Sequence, residues 1–162
     1  MYERKVKENE RYVGFLGYEF SNFYMCEFEL KGIKFDSSEK AFMYSKAMLF
    51  EDKEIAAQIL KSKSPKECKR LGRKVRGFDE KLWNEKREKY MKIILNAKFR
   101  SSEKLKNKLL STGDKIIVEC SPFDKVWGIG INVDELFEGK KWKGKNKLGY
   151  LLMEIRDNIK ED

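Results

Sequence analysis

The stretch Asp36-Ser-Ser-Glu-Lys-Ala-Phe-Met-Tyr-Ser-Lys46 decides the fold of this chain, because its pattern indicates a helix that carries both an acid and an amine. Glu39 and Lys46 are seven residues apart. That is nearly two helical turns, so both side chains point the same way. Their Cα atoms then lie about 10 Å apart along the helix axis, which suits two groups that hold one ligand better than a direct salt bridge.

A purely structural interpretation of the same stretch is also open. Asp36 is predicted to be the N-cap of the helix, with Glu39 as its N3 partner in a capping box. Lys46 would then be a solvated surface residue. The two interpretations are compatible with each other, and this segment alone favours the capping interpretation.

Length and hydropathy indicate one soluble domain. A chain of 162 residues is long enough for one substantial core and short for two. No apolar run approaches the roughly 18 residues of a membrane span. The segment Met1 to Arg11 is charged throughout and resembles no signal peptide. We therefore expect a cytoplasmic protein with no membrane partner.

Cysteine and histidine usage restricts the possible chemistry. The three cysteines, Cys26, Cys68 and Cys120, form no CxxC pair, which argues against a disulfide framework and a zinc site. The chain has no histidine, so HExxH sites and Ser-His-Asp or Cys-His catalysis in their usual forms are excluded. No phosphate loop or strand-linked GxGxxG motif is present either. We predict no metal and no cofactor, and any catalysis must use Asp, Glu, Lys, Tyr or Cys.

The formal net charge of +9 attracts anions. The densest basic stretch runs from Lys61 to Arg76 and could contact phosphates. Because basic residues are spread along the chain and interleaved with acids, an ordinary lysine-rich surface explains the charge equally well. Composition alone does not identify nucleic acid as the partner.

Hydrophobic periodicity predicts a mostly α, helix-rich α+β fold with a few short N-terminal strands. Short strands are expected in Arg11 to Gly17, in Cys26 to Phe35 with a turn at Lys31-Gly32, and in Lys115 to Cys120. Helices are expected over about Ser37 to Phe50, Asp52 to Lys61, Pro65 to Gly77, a long segment after Asp79, Ser101 to Leu110, and Asn146 to Ile159.

The segment Phe123-Asp-Lys-Val-Trp-Gly-Ile-Gly130 is predicted to be a loop after the last strand. Its glycines allow the backbone to approach a ligand, Trp127 offers a stacking face and Asp124 a carboxylate. The same residues would also make a tight turn with a buried tryptophan, and the residues by themselves favour that structural interpretation.

A series of short strings, taken in order and spacing, resembles the NADAR family, also called YbiA-like. The resemblance covers roughly Tyr12 to Arg156, which is nearly the whole chain. The strings are Phe20-Ser-Asn-Phe-Tyr24, Ser38-Glu39 to Lys46-Ala47, Leu71-Gly-Arg73 with Phe78-Asp79 and Trp83, Thr112-Gly-Asp114, Glu119-Cys-Ser-Pro-Phe-Asp124, Trp127-Gly-Ile-Gly130, and Trp142-Lys-Gly-Lys-Asn146 with Leu148-Gly149 and Leu152-Met153.

The resemblance implies a single helix-rich domain, residues 1–162 with a core of about 12–156, that cleaves N-glycosidic bonds without a metal. Two substrates are associated with the family: phosphorylated ribosylamino-pyrimidine intermediates of riboflavin biosynthesis, and guanine carrying ADP-ribose in nucleic acid. The expected partner is therefore a ribosylated small molecule with phosphate, or a nucleic acid bearing ADP-ribose. A non-catalytic module that binds ADP-ribose or a nucleotide is the alternative from another functional class.

The resemblance also implies roles for individual residues. Glu39 and Asp124 are candidates for stabilising an oxocarbenium-like transition state and for activating water or protonating the leaving nitrogen. Lys46 matches the position of a lysine proposed to form a Schiff base with an opened ribose. Substrate binding is assigned to Asn22, Phe23, Tyr44, Arg73, Trp83, Trp127 and Gly128. Core packing of Trp83 and solvation of Arg73 are the competing structural explanations.

Two positions depart from the family pattern. Met43 stands where glutamine is common, and Lys40 stands where histidine is common. Methionine cannot make the hydrogen bonds of an amide, so these changes affect the expected substrate more than the expected chemistry.

Overall fold

The computed structural model describes residues 3–162 and confirms the predicted helix-rich α+β class with a few short strands. No helix in this range combines the length and apolarity needed to cross a membrane. The parts of the predicted domain and of the charged N-terminal segment that fall on Met1 and Tyr2 lie outside the described residues. The elements are β1 (Lys5–Glu8), β2 (Tyr12–Leu16), β3 (Phe28–Leu30), β4 (Ile33–Phe35), α1 (Ser38–Leu49), α2 (Lys53–Lys61), α3 (Pro65–Gly72), α4 (Glu80–Arg100), α5 (Glu103–Leu110), β5 (Ile116–Glu119), α6 (Val133–Phe137) and α7 (Lys147–Glu161).

Internal contacts group the chain into two compact units. The terminal unit comprises residues 3–21 and Ser102–Asp162, and the central unit comprises Asn22–Ser101. The single domain over residues 1–162 therefore stays a prediction.

Helix α1 is the centre of the central unit, where it packs against α2, α3, α4 and strand β4. Its side chains Ala41, Phe42 and Ala47 are buried among these elements. Strands β3 and β4 form the predicted hairpin, in which Lys31 and Gly32 have φ angles of 51° and 82°. Both central residues of a type I′ turn need such positive φ angles, and they align the two short strands.

The N-cap of α1 is Ser37, and the prediction of Asp36 at that position is wrong. The Ser37 side chain accepts the backbone N–H of Lys40 at 3.1 Å, so the helix starts one residue later than expected. Asp36 instead forms an ion pair with Lys40 one turn along the helix, at 3.2 Å. Glu39 is therefore not the N3 partner of a capping box.

Lys40 and Asp52 attach the two ends of α2 to the rest of the central unit. The buried Lys40 ammonium donates to the carbonyl of Ser62 at 2.6 Å, just beyond the last turn of α2. The buried Asp52 carboxylate caps the first turn of α2 and also accepts from the backbone and guanidinium of Arg76. These hydrogen bonds from Arg76 hold the pKa of Asp52 well below its usual range.

Helix α3 ends at Gly72 rather than near Gly77 as predicted. The backbone N–H of Arg76 donates to Asp52 Oδ2 at 2.9 Å, so it does not continue the helical hydrogen-bond ladder. Val75 is buried in this turn. A contact far away in sequence thus shortens a helix that local propensity would extend.

The terminal unit contains a mixed sheet in the order β1-β2-β5. Strand β2 pairs antiparallel with β1 and parallel with β5. Helix α7 packs against β5, and α6 contacts β1 and β2. Two elements were not predicted. Strand β1 is exposed along its whole length and carries charged residues at all positions except Val6. Helix α6 has only five residues, although Asn132 and Glu135 form a capping box at its start.

Asn146 completes the outer edge of β5. It is fully buried and has a left-handed backbone with φ of 53°. Its side chain accepts from the Glu119 N–H at 3.0 Å and donates to the Ile117 carbonyl at 2.9 Å, as a neighbouring strand would. A Cβ atom on Gly149 would lie 2.0 Å from that carbonyl, so only glycine permits this approach.

We expect Asn146→Ala to lower the free energy of unfolding by about 2–4 kcal/mol, because two backbone groups of β5, one buried and one partly buried, lose their partners. The control is Asn107→Ala, which removes an exposed asparagine side chain from α5 and should change stability by less than about 0.5 kcal/mol. Urea unfolding of both variants measures the difference. Equal stability of the two variants would show that Asn146 does not support β5.

Candidate functional site

Glu39 and Lys46 lie on one face of α1. Seven residues advance the helix by about 700°, within about 20° of two full turns. Glu39 is only 7% exposed, and Lys46 is half-buried. The Glu39 carboxylate is near enough to act on the Lys46 amine, because its charge favours protonation of that lysine. This face of α1 therefore presents an acid at one end and an amine at the other.

The Lys46 amine lies among aromatic rings. Its Nζ is 4.7 Å from the ring centroid of Phe78 and 5.8 Å from that of Trp83. Burial is the main cause that lowers the pKa of Lys46, and the positive charge of Arg73 lowers it further, while Glu39 opposes both. The net direction is downward, so the neutral, nucleophilic amine is more accessible than in an ordinary lysine.

At the other end of this face, Asn22 is fixed to the start of α1. The backbone N–H of Glu39 donates to the Asn22 carbonyl at 2.9 Å. The Ser38 hydroxyl donates to the Asn22 side-chain oxygen at 2.8 Å. Phe23 follows with its ring exposed, and the Lys69 ammonium lies 5.8 Å from the ring centroid. The predicted residue Asn22 therefore lies beside Glu39, and the predicted residue Phe23 lies beside Lys69 of α3.

Helix α3 runs alongside this face of α1. A Cβ atom on Gly72 would lie 2.1 Å from the sulfur of Met43, so the two helices approach closely between Glu39 and Lys46. Lys69 lies at the Phe23 end, and Arg73 lies near Lys46. The helix thus places a positive charge at each end of the acid and amine pair.

Trp83 combines a core position with a contact to the candidate site. It is 7% exposed, and its ring centroid lies 4.9 Å from that of Phe42 and 6.2 Å from that of Tyr90. The same ring contacts the Lys46 ammonium. Trp83 therefore mainly packs in the core beside Lys46, and its role as a stacking platform for a ligand stays a prediction.

Tyr44 lies on a different face of α1. Its position is about 140° around the helix from Glu39. Its half-buried ring packs against Phe35 of β4, with centroids 5.7 Å apart. The structure gives Tyr44 a packing role, and substrate binding by its hydroxyl stays a prediction.

The other predicted site residues, Asp124, Trp127 and Gly128, belong to the terminal unit. Asp124 Oδ1 accepts from the backbone N–H groups of Val126 at 2.9 Å and Trp127 at 2.8 Å. This arrangement fixes the loop as a tight turn, while Oδ2 takes no part in these two bonds. Asp124 and Trp127 are both partly exposed.

Gly128 has a structural function in this loop. A Cβ atom there would lie 2.9 Å from the Asp124 carbonyl oxygen and 3.0 Å from that of Glu119. Its own carbonyl accepts the N–H of Asn146 at 3.0 Å. The loop is thereby held against the start of α7, and substrate contact by Gly128 stays a prediction.

Sequence reasoning missed three residues around α1: Lys69, Phe78 and Ser38. Lys69 and Arg73 are four residues apart on a short helix, a spacing that places them on one face. That spacing was the available signal for Lys69. Phe78 and Ser38 stood inside matched strings, but nothing in one sequence shows that they touch Lys46 and Asn22.

A cavity of about 540 Å³ in the terminal unit contains none of the predicted site residues. It is lined by Glu10, Arg11 and the turn from Ser111 to Ile116. Within residues 3–162, no group of three or more His, Cys, Asp or Glu side chains is placed to hold a metal ion.

Comparison with known proteins places these observations in a family context. Residues 14–160 match the NADAR domain. Protein irg-1 of Caenorhabditis elegans is 38% identical, over 95% of this chain and 83% of that protein. N-glycosidase R617 of Acanthamoeba polyphaga mimivirus is 35% identical, over 93% of this chain and 97% of that protein. Riboflavin biosynthesis protein VVA0006 of Vibrio vulnificus is 30% identical over 87% of this chain, which corresponds to 35% of that longer protein.

The fold is similar to that of a solved structure. The NMR structure of the Escherichia coli protein YbiA superposes with a TM-score of 0.79 at 29% sequence identity. The match covers 96% of this chain and 88% of that one. The sequence relationship and the fold therefore agree.

We expect Arg73→Ala to raise the pKa of Lys46, since it removes a nearby positive charge, and Glu39→Gln to lower it. The charge-matched control on the same helix is Arg70→Ala, because Arg70 is paired with Glu67. NMR titration of ¹³C-dimethylated lysines, with the signal assigned through Lys46→Arg, measures each shift. If Arg73→Ala left the titration unchanged, Arg73 would not share an environment with Lys46.

Proposed function

Because the chain belongs to the NADAR family, we propose that it is an N-glycosidase that hydrolyses the bond between ribose C1 and nitrogen in a phosphorylated ribosylamino-pyrimidine. The observation that carries this proposal is the arrangement on α1, where the buried Glu39 shares a face with a lysine of lowered pKa. The activity in the name of R617 and the pathway in the name of VVA0006 agree with it.

The chemistry of the bond explains why a carboxylate is needed. As the C1–N bond breaks, positive charge develops on C1 and the ring oxygen, and negative charge nearby lowers the barrier. We assign this role to Glu39. We assign to Asp124 the activation of water or the protonation of the departing nitrogen, using the carboxylate oxygen outside its two loop hydrogen bonds.

Lys46 offers a covalent route to the same products. Its neutral amine would attack C1 of the opened ribose, and the C1–N bond would break as the leaving nitrogen takes a proton. Water would then hydrolyse the resulting Schiff base, which releases the sugar and restores the amine. The lowered pKa of Lys46 favours this role, because only the unprotonated amine is a nucleophile.

The positive charges of α3 suit a phosphorylated substrate. Arg73 is exposed near Lys46, and Lys69 lies over the exposed ring of Phe23 beside Asn22. A guanidinium or an ammonium at this position would bind phosphate oxygens. The aromatic ring of Phe23 would cover the base or the sugar.

A second candidate function is removal of ADP-ribose from guanine in DNA or RNA. The observation that favours it is the exposed basic surface of α3 and its flanks. Apart from Arg70, which is paired with Glu67, this surface consists of Lys61, Lys63, Lys66, Lys69, Arg73 and Lys74. Such a surface has more positive charges than one phosphate needs and would contact several phosphates of a nucleic-acid backbone.

A hydrolysis assay followed by mass spectrometry separates these functions. We expect release of ribose 5-phosphate from the phosphoribosylamino-pyrimidine, at the same rate with and without EDTA. Release of ADP-ribose from an oligonucleotide with ADP-ribosylated guanine would favour the second function instead. Binding of either compound without cleavage would indicate a non-catalytic module, and a requirement for a divalent ion would contradict the metal-independent reaction.

We expect Glu39→Gln and Asp124→Asn each to reduce turnover by roughly a hundredfold or more, as loss of an acid or base group usually does. Both substitutions keep the size of the side chain, and the amide oxygen introduced by Asp124→Asn would still accept the two loop N–H groups. The matched controls are Glu54→Gln and Asp134→Asn, which alter exposed carboxylates outside the proposed site. A near-normal rate in either site variant would remove that residue from the mechanism.

A further inference from the structure

Ser38 is the first residue of α1 and is fully buried. Its hydroxyl donates to Asn22 Oδ1 at 2.8 Å and lies 3.4 Å from the Asn22 backbone carbonyl. When Oδ1 of a primary amide is held in this way, its Nδ2 points away from the holding group and has two hydrogens to donate. Ser38 therefore fixes both the position and the direction of the Asn22 amide.

The same asparagine is attached to Glu39. The Asn22 backbone carbonyl accepts the Glu39 backbone N–H at 2.9 Å, so Asn22 is held next to the residue assigned to C1 of the sugar. The group attached to the carbon next to C1 of a ribosyl ring is the 2-hydroxyl. If C1 lies at Glu39, the 2-hydroxyl is the substrate hydroxyl nearest to a donor on the neighbouring Asn22.

We propose that Ser38 is a positioning residue that directs Asn22 Nδ2 to the 2-hydroxyl of the sugar, and that this pair selects ribosyl over 2-deoxyribosyl substrates. The assignment of Glu39 to C1 rests on the proposed function. A site built to bond a hydroxyl discriminates against the analogue that lacks it, because the half-buried donor then loses its partner in the complex.

Ser37 provides a matched control for Ser38. The two serines are adjacent and both fully buried. Ser37 caps α1 by accepting the Lys40 N–H, a contact within the helix itself. Loss of its hydroxyl should lower the melting temperature without changing sugar preference. Loss of the Ser38 hydroxyl should abolish the preference for ribose, and Ser38→Thr, which keeps a hydroxyl, should retain that preference.

Calorimetric binding of ribose 5-phosphate and 2-deoxyribose 5-phosphate tests the proposal without depending on turnover. We expect wild type to prefer the ribose compound by roughly tenfold, the value of one net hydrogen bond. Ser38→Ala and Asn22→Ala should each abolish the preference, and the double variant should lose nothing further. Ser37→Ala should keep the preference of wild type.

The proposal is overturned if wild type binds neither sugar or shows no preference, if Ser38→Ala keeps the preference, or if Ser37→Ala loses it equally. Additive effects in the double variant would also overturn it, since Ser38 would then not act through Asn22. Hydrolysis by the same wild-type preparation is measured in parallel. A sugar preference that depends on Ser38, with no turnover in wild type, would support the positioning role and contradict the proposed glycosidase.

Discussion

The close approach of α1 and α3 is the constraint on which the candidate site in the central unit depends. Gly72 has no side chain, and the Met43 sulfur occupies the space that a Cβ would need, only 2.1 Å away. Because of this contact, α3 lies along the face that carries Glu39 and Lys46. The positive charge of Lys69 therefore lies near the Phe23 end of that face, and the positive charge of Arg73 lies near Lys46. A larger residue at position 72 would force the Met43 side chain out of its present place between the helices.

This arrangement keeps Lys46 in an electrostatic balance. Burial disfavours the Lys46 ammonium, as does the charge of Arg73, and Glu39 favours it. A lysine exposed to water would be almost fully protonated at neutral pH. A lysine buried without a nearby acid would have a still lower pKa and would lose the positive charge that attracts an anionic ligand. The combination lowers the pKa of the Lys46 amine, while Lys69 and Arg73 keep its surroundings positively charged.

Local sequence signals predicted most helices and the β3–β4 hairpin, because caps, prolines and positive-φ turn residues act over a few positions. These local signals failed where contacts between residues far apart in the sequence determine where an element forms or ends. Asp52 accepts the N–H of Arg76, and α3 ends early. Strand β1 is mostly charged and is held by its pairing with β2. The same limit applies to the site. Helical spacing placed Glu39 with Lys46, but the contacts of Ser38 with Asn22 and of Lys69 with Phe23 join segments that no local pattern connects.

The corrected start of α1 changes how Glu39 is interpreted. With Asp36 as N-cap, Glu39 would have been the reciprocal partner of a capping box, and helix formation would have explained its presence. Ser37 performs the capping instead, which places Glu39 at the second position of the first turn. The helix dipole stabilises a negative charge there but does not require burial, and first-turn acids usually lie in solvent. A glutamate that is only 7% exposed and shares a helix face with a lysine of lowered pKa is better explained by chemistry than by capping.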